Sequence, residues 1–183
     1  WLAIVRTRSG PTVMELMALF KSPLFDIDFF DQVAGVSPNQ RELVNKEDRT
    51  QGLIWEIERR LLKEGIKAGW SSIIPCFDDG IEDIEFDDEP SKTIYGAVSC
   101  RAILIYLQQL SLAWHGPKKS GALWAEQLLE DLNRLGMMQS LIADEAGRQF
   151  VLSIESMSTL TLSQLSLNSW LSLLDLWVEE CAY

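Results

Sequence analysis

The chain has 183 residues, 47% of them hydrophobic and 23% charged, a balance that excludes disordered and collagen-like classes and suits one well-buried domain or two small ones. Its formal net charge of -11 makes the average surface repel phosphate. That excludes non-specific wrapping of nucleic acid or anionic lipid and confines any DNA contact to a local patch.

Cys76, Cys100 and Cys181 are odd in number and scattered, which fits a reducing, cytoplasmic compartment better than a disulfide framework. No run approaches the roughly 18 uninterrupted apolar residues of a membrane span, so no membrane contact is expected. Residues 1–10 lack the basic leader and apolar core of a signal peptide. A start at Trp1 rather than methionine leads to the expectation of a domain excised from a longer polypeptide.

Residues 1–5 form a short apolar run, a strand or a helix end, and 6–11 a turn. Pro11 or Thr12 opens a helix in which Val13, Leu16, Met17 and Phe20 recur at helical spacing until Ser22 and Pro23 stop it. Ile27, Phe29, Phe30 and Val33 add one or two helical turns before Gly35, and core packing explains them better than a ligand pocket. Ser37 and Pro38 read as N-cap and first position of a long helix over 37–65. Its first half is polar; Leu53, Ile54, Ile57, Leu61 and Leu62 make the second half amphipathic. Gly65 stops it, and Gly52 is a place where it divides. On the opposite face lie Arg59, Arg60, Lys63 and Lys67, the densest basic cluster in the chain. They read as a solvated face paired with Glu56 and Glu64 or as a candidate nucleic-acid contact.

Periodicity fails over 68–92. Eight of the twelve residues at 78–89 are acidic, interleaved with Ile81, Ile84 and Phe86, which describes a solvated loop with room for one helical turn. The order does not match a calcium loop, because Gly80 comes too early. Lys92, three residues after Glu89, does not supply the carboxylate-x-lysine arrangement of many metal-dependent nucleases. No metal ligand, cofactor site or catalytic residue is assigned.

The run 93–114 is apolar almost all round, with Ile94, Ala97, Val98, Ile103, Ile105, Leu107 and Leu110, and belongs in the centre of a bundle. The connection 115–120 lacks the first glycine of a phosphate loop. His115, the only histidine, has no second histidine or cysteine beside it and reads as a turn residue. Next comes the most legible helix, 120–135. Trp124, Leu128, Leu132 and Leu135 fall at intervals of four, four and three, with Ala125 and Leu129 widening the stripe. Ser120 is its N-cap, Gly136 its left-handed C-terminal cap, and Glu126, Glu130 and Asp131 its solvent side. Two β-prone runs follow, 140–143 and 149–154, with Asp144, Glu145, Ala146 and Gly147 as a hairpin turn. At the end, 159–167 alternates like a strand, whereas Leu167, Trp170, Leu171 and Leu174 follow a helical repeat. Glu179 and Glu180 oppose a helix dipole, which fits a chain cut inside a longer protein at least as well as a native terminus.

These elements predict a mainly α, bundle-like domain over 1–183 with a minor β-hairpin, divisible into 1–76 and 93–183 around the acidic loop 77–92. The alternative is an α+β fold with a winged-helix subdomain, in which 120–135 is the recognition helix and the hairpin the wing. The acidic side of that helix suits a protein-interaction version better than a DNA-binding one. A small stand-alone enzyme is a third reading, but its acid, base and nucleophile would come from unclustered residues.

The stretch GPTVMELMALFKSPLFD at 10–26 carries, at 16–24, the phrase L-x-x-L-[LF]-[RK]-S-P-[LF]. It resembles a segment of RecB, AddB and UvrD-type helicase-nuclease proteins. WAEQLLEDLNRLGM at 124–137 and SWLSLLDLW at 169–177 are arranged as in helical insertions of such proteins, so the resemblance spans most of the chain loosely. It implies a non-catalytic helical accessory domain of a DNA-repair enzyme, shaping a DNA channel or bracing the motor, with ATP hydrolysis and strand cleavage elsewhere. The implied partner is the rest of a larger polypeptide or a separate protein. No catalytic residue carries over, and any DNA contact falls to Arg59, Arg60, Lys63 and Lys67.

Overall fold

In the computed structural model the described residues are 1–78, 95–158 and 164–181. They are mainly helical, joined by turns and by two isolated antiparallel bridges. The acidic run beyond Asp78, the beginning of the apolar run at 93–94, residues 159–163 of the alternating run and the side chains of Glu179 and Glu180 lie outside the described residues. Two compact units divide the chain, Trp1–Leu112 and Ala113–Tyr183.

The first unit contains α1 (Leu2–Val5), α2 (Val13–Phe20), α3 (Ile27–Val33), α4 (Pro38–Leu43), α5 (Lys46–Lys63), α6 (Trp70–Ile73), a 3-10 turn (Ile74–Phe77) and α7 (Ala97–Leu112). A capping box starts α2: Thr12 Oγ1 accepts from the Glu15 amide at 3.2 Å, and the Thr12 amide donates to Glu15 Oε2 at 2.7 Å, satisfying two donors that a helix start leaves open. Leu16, Met17, Leu19 and Phe20 are buried, so the leucine-rich phrase supplies core. Phe20, Phe25 and Phe30 continue it, with ring centroids 5.2 and 4.7 Å apart. Before α2, the chain pairs with the segment entering α6, through Val13 N to Lys67 O at 2.9 Å and Trp70 N to Ser9 O at 2.8 Å. Gly10 makes this approach possible, because a Cβ there would lie 2.6 Å from the Trp70 amide nitrogen and its φ is +105°.

The long helix expected over 37–65 is two helices. Ser37 caps α4 in a box with Gln40, Val44 is extended, and Asn45 Oδ1 accepts from the Asp48 amide at 2.9 Å to start α5. An asparagine that offers its own acceptor to the backbone competes with helix continuation, so the break falls at 44–45 and Gly52 stays inside α5. Leu53, Ile54, Ile57 and Leu61 are buried, as the pattern predicted, but Leu62 is exposed.

Helix α7 packs on α3, α5 and the 3-10 turn through Cys100, Ile103, Leu104 and Leu107. Val98, by contrast, is exposed, so α7 is not buried on every side. Because α7 belongs to the first unit, the units part after Leu112 rather than at the acidic loop.

The second unit contains α8 (Gly121–Arg134), α9 (Met137–Ala143), α10 (Glu145–Ser158) and α11 (Leu167–Cys181). Helix α8 has the expected bounds, with Ser120 Oγ accepting from the Leu123 amide and Gly136 left-handed at φ 71°. Trp114, Trp124 and Trp170 are fully buried together, with centroids 5.6 to 6.2 Å apart.

The expected hairpin over 140–154 is a correction: both of its runs are helical. Asp144 is an N-cap rather than a turn residue, its Oδ2 accepting from the Gly147 amide at 3.1 Å. Gly147, Val151, Ile154 and Met157 are buried at helical spacing. With no wing beside α8, the structural basis of the winged-helix alternative is absent from this segment. Asp131 is likewise buried rather than on the solvent side, and its Oδ2 accepts from Trp114 Nε1 at 2.5 Å.

Candidate nucleic-acid interface

Of the four basic residues assigned to nucleic-acid contact, Arg60 is buried, Arg59 is half-buried and Lys63 and Lys67 are exposed. Glu56, one turn earlier on α5, is buried and receives both arginines. Arg60 donates through Nε to Glu56 Oε1 and lies with its guanidinium carbon 5.7 Å from the centre of the Phe77 ring. Its side chain is 6% exposed, so it braces α5 against the 3-10 turn instead of meeting solvent. Arg59 holds Glu56 bidentately at 2.9 and 3.0 Å but keeps 35% of its side chain exposed. Lys63 and Lys67 are exposed, with no ion pair to either among the described residues. The backbone carbonyl of Lys67, by contrast, is bound by the Val13 amide.

One carboxylate facing two guanidinium groups leaves one positive charge uncompensated. Nearby acids do not cancel it evenly. Glu58 is occupied by Lys21 at 2.6 Å, while Glu64 joins Arg59, Arg60, Lys63 and Cys76 around a shallow cleft. Burial, aided by Glu64, pushes the Cys76 thiol above its ordinary value, so it is a poor nucleophile. Arg59 also lies 5.2 Å from the centre of the Trp55 ring, and that indole is 42% exposed. Sequence reasoning passed over Trp55. Its signal was present as the spacing of Trp55, Arg59 and Lys63, i, i+4 and i+8 on one helix face.

A second polar cluster lies between α3 and α5. Asp31, fully buried, accepts from Arg49 Nη1 and from the Tyr95 hydroxyl. Arg49 Nη2 reaches Asp28 at 2.6 Å, and Lys46 joins Asp26 at 2.7 Å and Asp28 at 3.2 Å. Burial opposes charge on Asp28, but the hydrogen bonds from Arg49 and Lys46 outweigh it and hold its carboxyl below the usual aspartate value. The hydrogen bond to Asp26 raises Lys46 against the opposing effect of burial. Burial raises Tyr95, keeping its hydroxyl a donor. These groups bind helices to one another.

Among the described residues no three of His, Cys, Asp and Glu converge as metal ligands, and no helix is long and apolar enough to cross a membrane. Comparison with family models, curated proteins and solved structures finds no match for the chain.

Proposed function

We propose that this chain is a non-catalytic helical accessory domain of a DNA-repair protein of the helicase-nuclease type, a brace or channel wall for machinery located elsewhere. The observation that carries the reading is how the buried ionisable groups are used. Asp31, Arg49, Glu56, Arg60 and Asp131 each hold another side chain in place, the economy of a scaffold rather than of a reaction centre. The leucine-rich phrase at 16–24 adds to it as a capped helix and tight turn seated in the core. Its partner is the remainder of a larger polypeptide or a companion subunit, with DNA touched locally.

The test is an immunoblot of source-cell lysate with an antibody against this chain, followed by an unwinding assay on the immunoprecipitate. A band far above 20.8 kDa with ATP-driven unwinding is the expected result. A band near that mass, without a co-precipitating motor, overturns the reading.

A further inference from the structure

The exposed face of α5 carries Trp55, Arg59 and Lys63 in line, spanning about 12 Å of helix, and we infer that this stripe binds single-stranded nucleic acid, one base stacking on the indole-guanidinium pair and the adjoining phosphates meeting Arg59 and Lys63. The inference rests on the nucleic-acid side of the proposed function and gives it a substrate class and a new residue, Trp55.

Three observations converge on it. First, Trp55 is 42% exposed although a tryptophan of this size ordinarily hides in the core, and Arg59 lies over its ring at 5.2 Å. Aromatic rings and guanidinium planes are the surfaces on which unpaired bases stack. Second, Arg59 is preorganised: its two-pronged hold on buried Glu56 at 2.9 and 3.0 Å fixes its plane, so little side-chain entropy is lost on binding. Because Glu56 is shared with Arg60, one positive charge of the trio is left for a ligand. Third, Lys63 extends the positive stripe one turn on and is exposed, while Glu58 is taken by Lys21 at 2.6 Å and Glu64 is the acid that shares the cleft with Arg59 and Lys63. In a chain of net charge -11, an anionic strand is held only where such a stripe exists, and a duplex, with its bases stacked inside, gains nothing from the indole.

The test is fluorescence anisotropy with a dye-labelled oligothymidylate of about 16 nucleotides, the upper end of a single-domain strand site, using the full chain at low salt. The strand binds better than a duplex of the same length, with a log-log salt slope of about -1.4 for two phosphates. Trp55→Ala weakens binding by about 5- to 150-fold, and Trp55→Phe retains most of the affinity while losing a share of the tryptophan quenching that accompanies binding. Lys63→Glu weakens binding and flattens the slope. Equal affinity for duplex, a Trp55→Ala chain of normal melting temperature and unchanged affinity, binding of polyglutamate in place of the strand, or no strand binding overturns the inference. A native band near 20.8 kDa is a separate failure, of the accessory-domain reading alone.

Discussion

In the unit Trp1–Leu112, α3 and α5 are joined by the buried pair Asp31 and Arg49, with Tyr95 as a third member. In Ala113–Tyr183, the segment at Trp114 is joined to α8 and α11 by three indoles packed together, and its buried carboxylate, Asp131, accepts from one of them. Both solutions fix helices whose stability comes mostly from tertiary packing, but they fail differently. A charge tie depends on both partners being present and ionised, whereas an indole cluster depends on volume.

The largest effects come from attacking each tie directly. Asp31→Ala leaves the Arg49 guanidinium buried without its carboxylate and should cost about 3–5 kcal/mol in urea unfolding. Converting Arg49 to Met in the same chain should recover part of that loss. Trp124→Ala removes the centre of the indole cluster at a similar cost of about 3–5 kcal/mol, and no polar substitution elsewhere should rescue it. If Asp31→Ala proves neutral, the contrast between the units is wrong.

Next is Gly147→Ala. A Cβ there would stand 2.1 Å from the Leu141 carbonyl oxygen, so α9 and α10 must shift, at about 1–3 kcal/mol, measured as a lower melting temperature.

Acid should distinguish the units more gently. The depressed folded value of Asp28 contributes stability that is fully present above the unfolded aspartate value of about 3.9 and is lost as pH falls through the folded value. Asp28→Asn should therefore flatten the acid limb of the first unit's unfolding, followed by urea titration at stepped pH. The smallest effects are local. Thr12→Ala should cost about 1 kcal/mol through its cap, and Lys21→Ala should cost less than about 1 kcal/mol, since its pair with Glu58 is exposed.

Where amphipathic period and cap chemistry agreed, the elements were legible in advance. Ser120, the stripe from Trp124 to Leu135 and Gly136 delimit α8 as expected, and Thr12 opens α2. The misreadings share a cause. Asp144 and Gly147 are turn formers and also a helix N-cap with a close-packing glycine; local composition does not separate the two, and the contact with Leu141 does. Asn45 likewise divides one amphipathic run into two helices.

The candidate site shows the same limit. Sequence placed Arg59, Arg60, Lys63 and Lys67 within one basic cluster, and their charges and spacing were real. Only the packing of Phe77 and Glu56 decided that Arg60 turns inward while Arg59 lies against an exposed indole.

Sequence by itself determined the helical class, the start of α2, the bounds of α8 and the apolar stripe of α5, because these follow from local periodicity and capping within a few turns of chain. Tertiary structure alone decided where the units part, which acids and arginines are buried, and which basic residues face solvent. Burial of a charge depends on a partner that lies far away in sequence, as Tyr95 lies from Asp31.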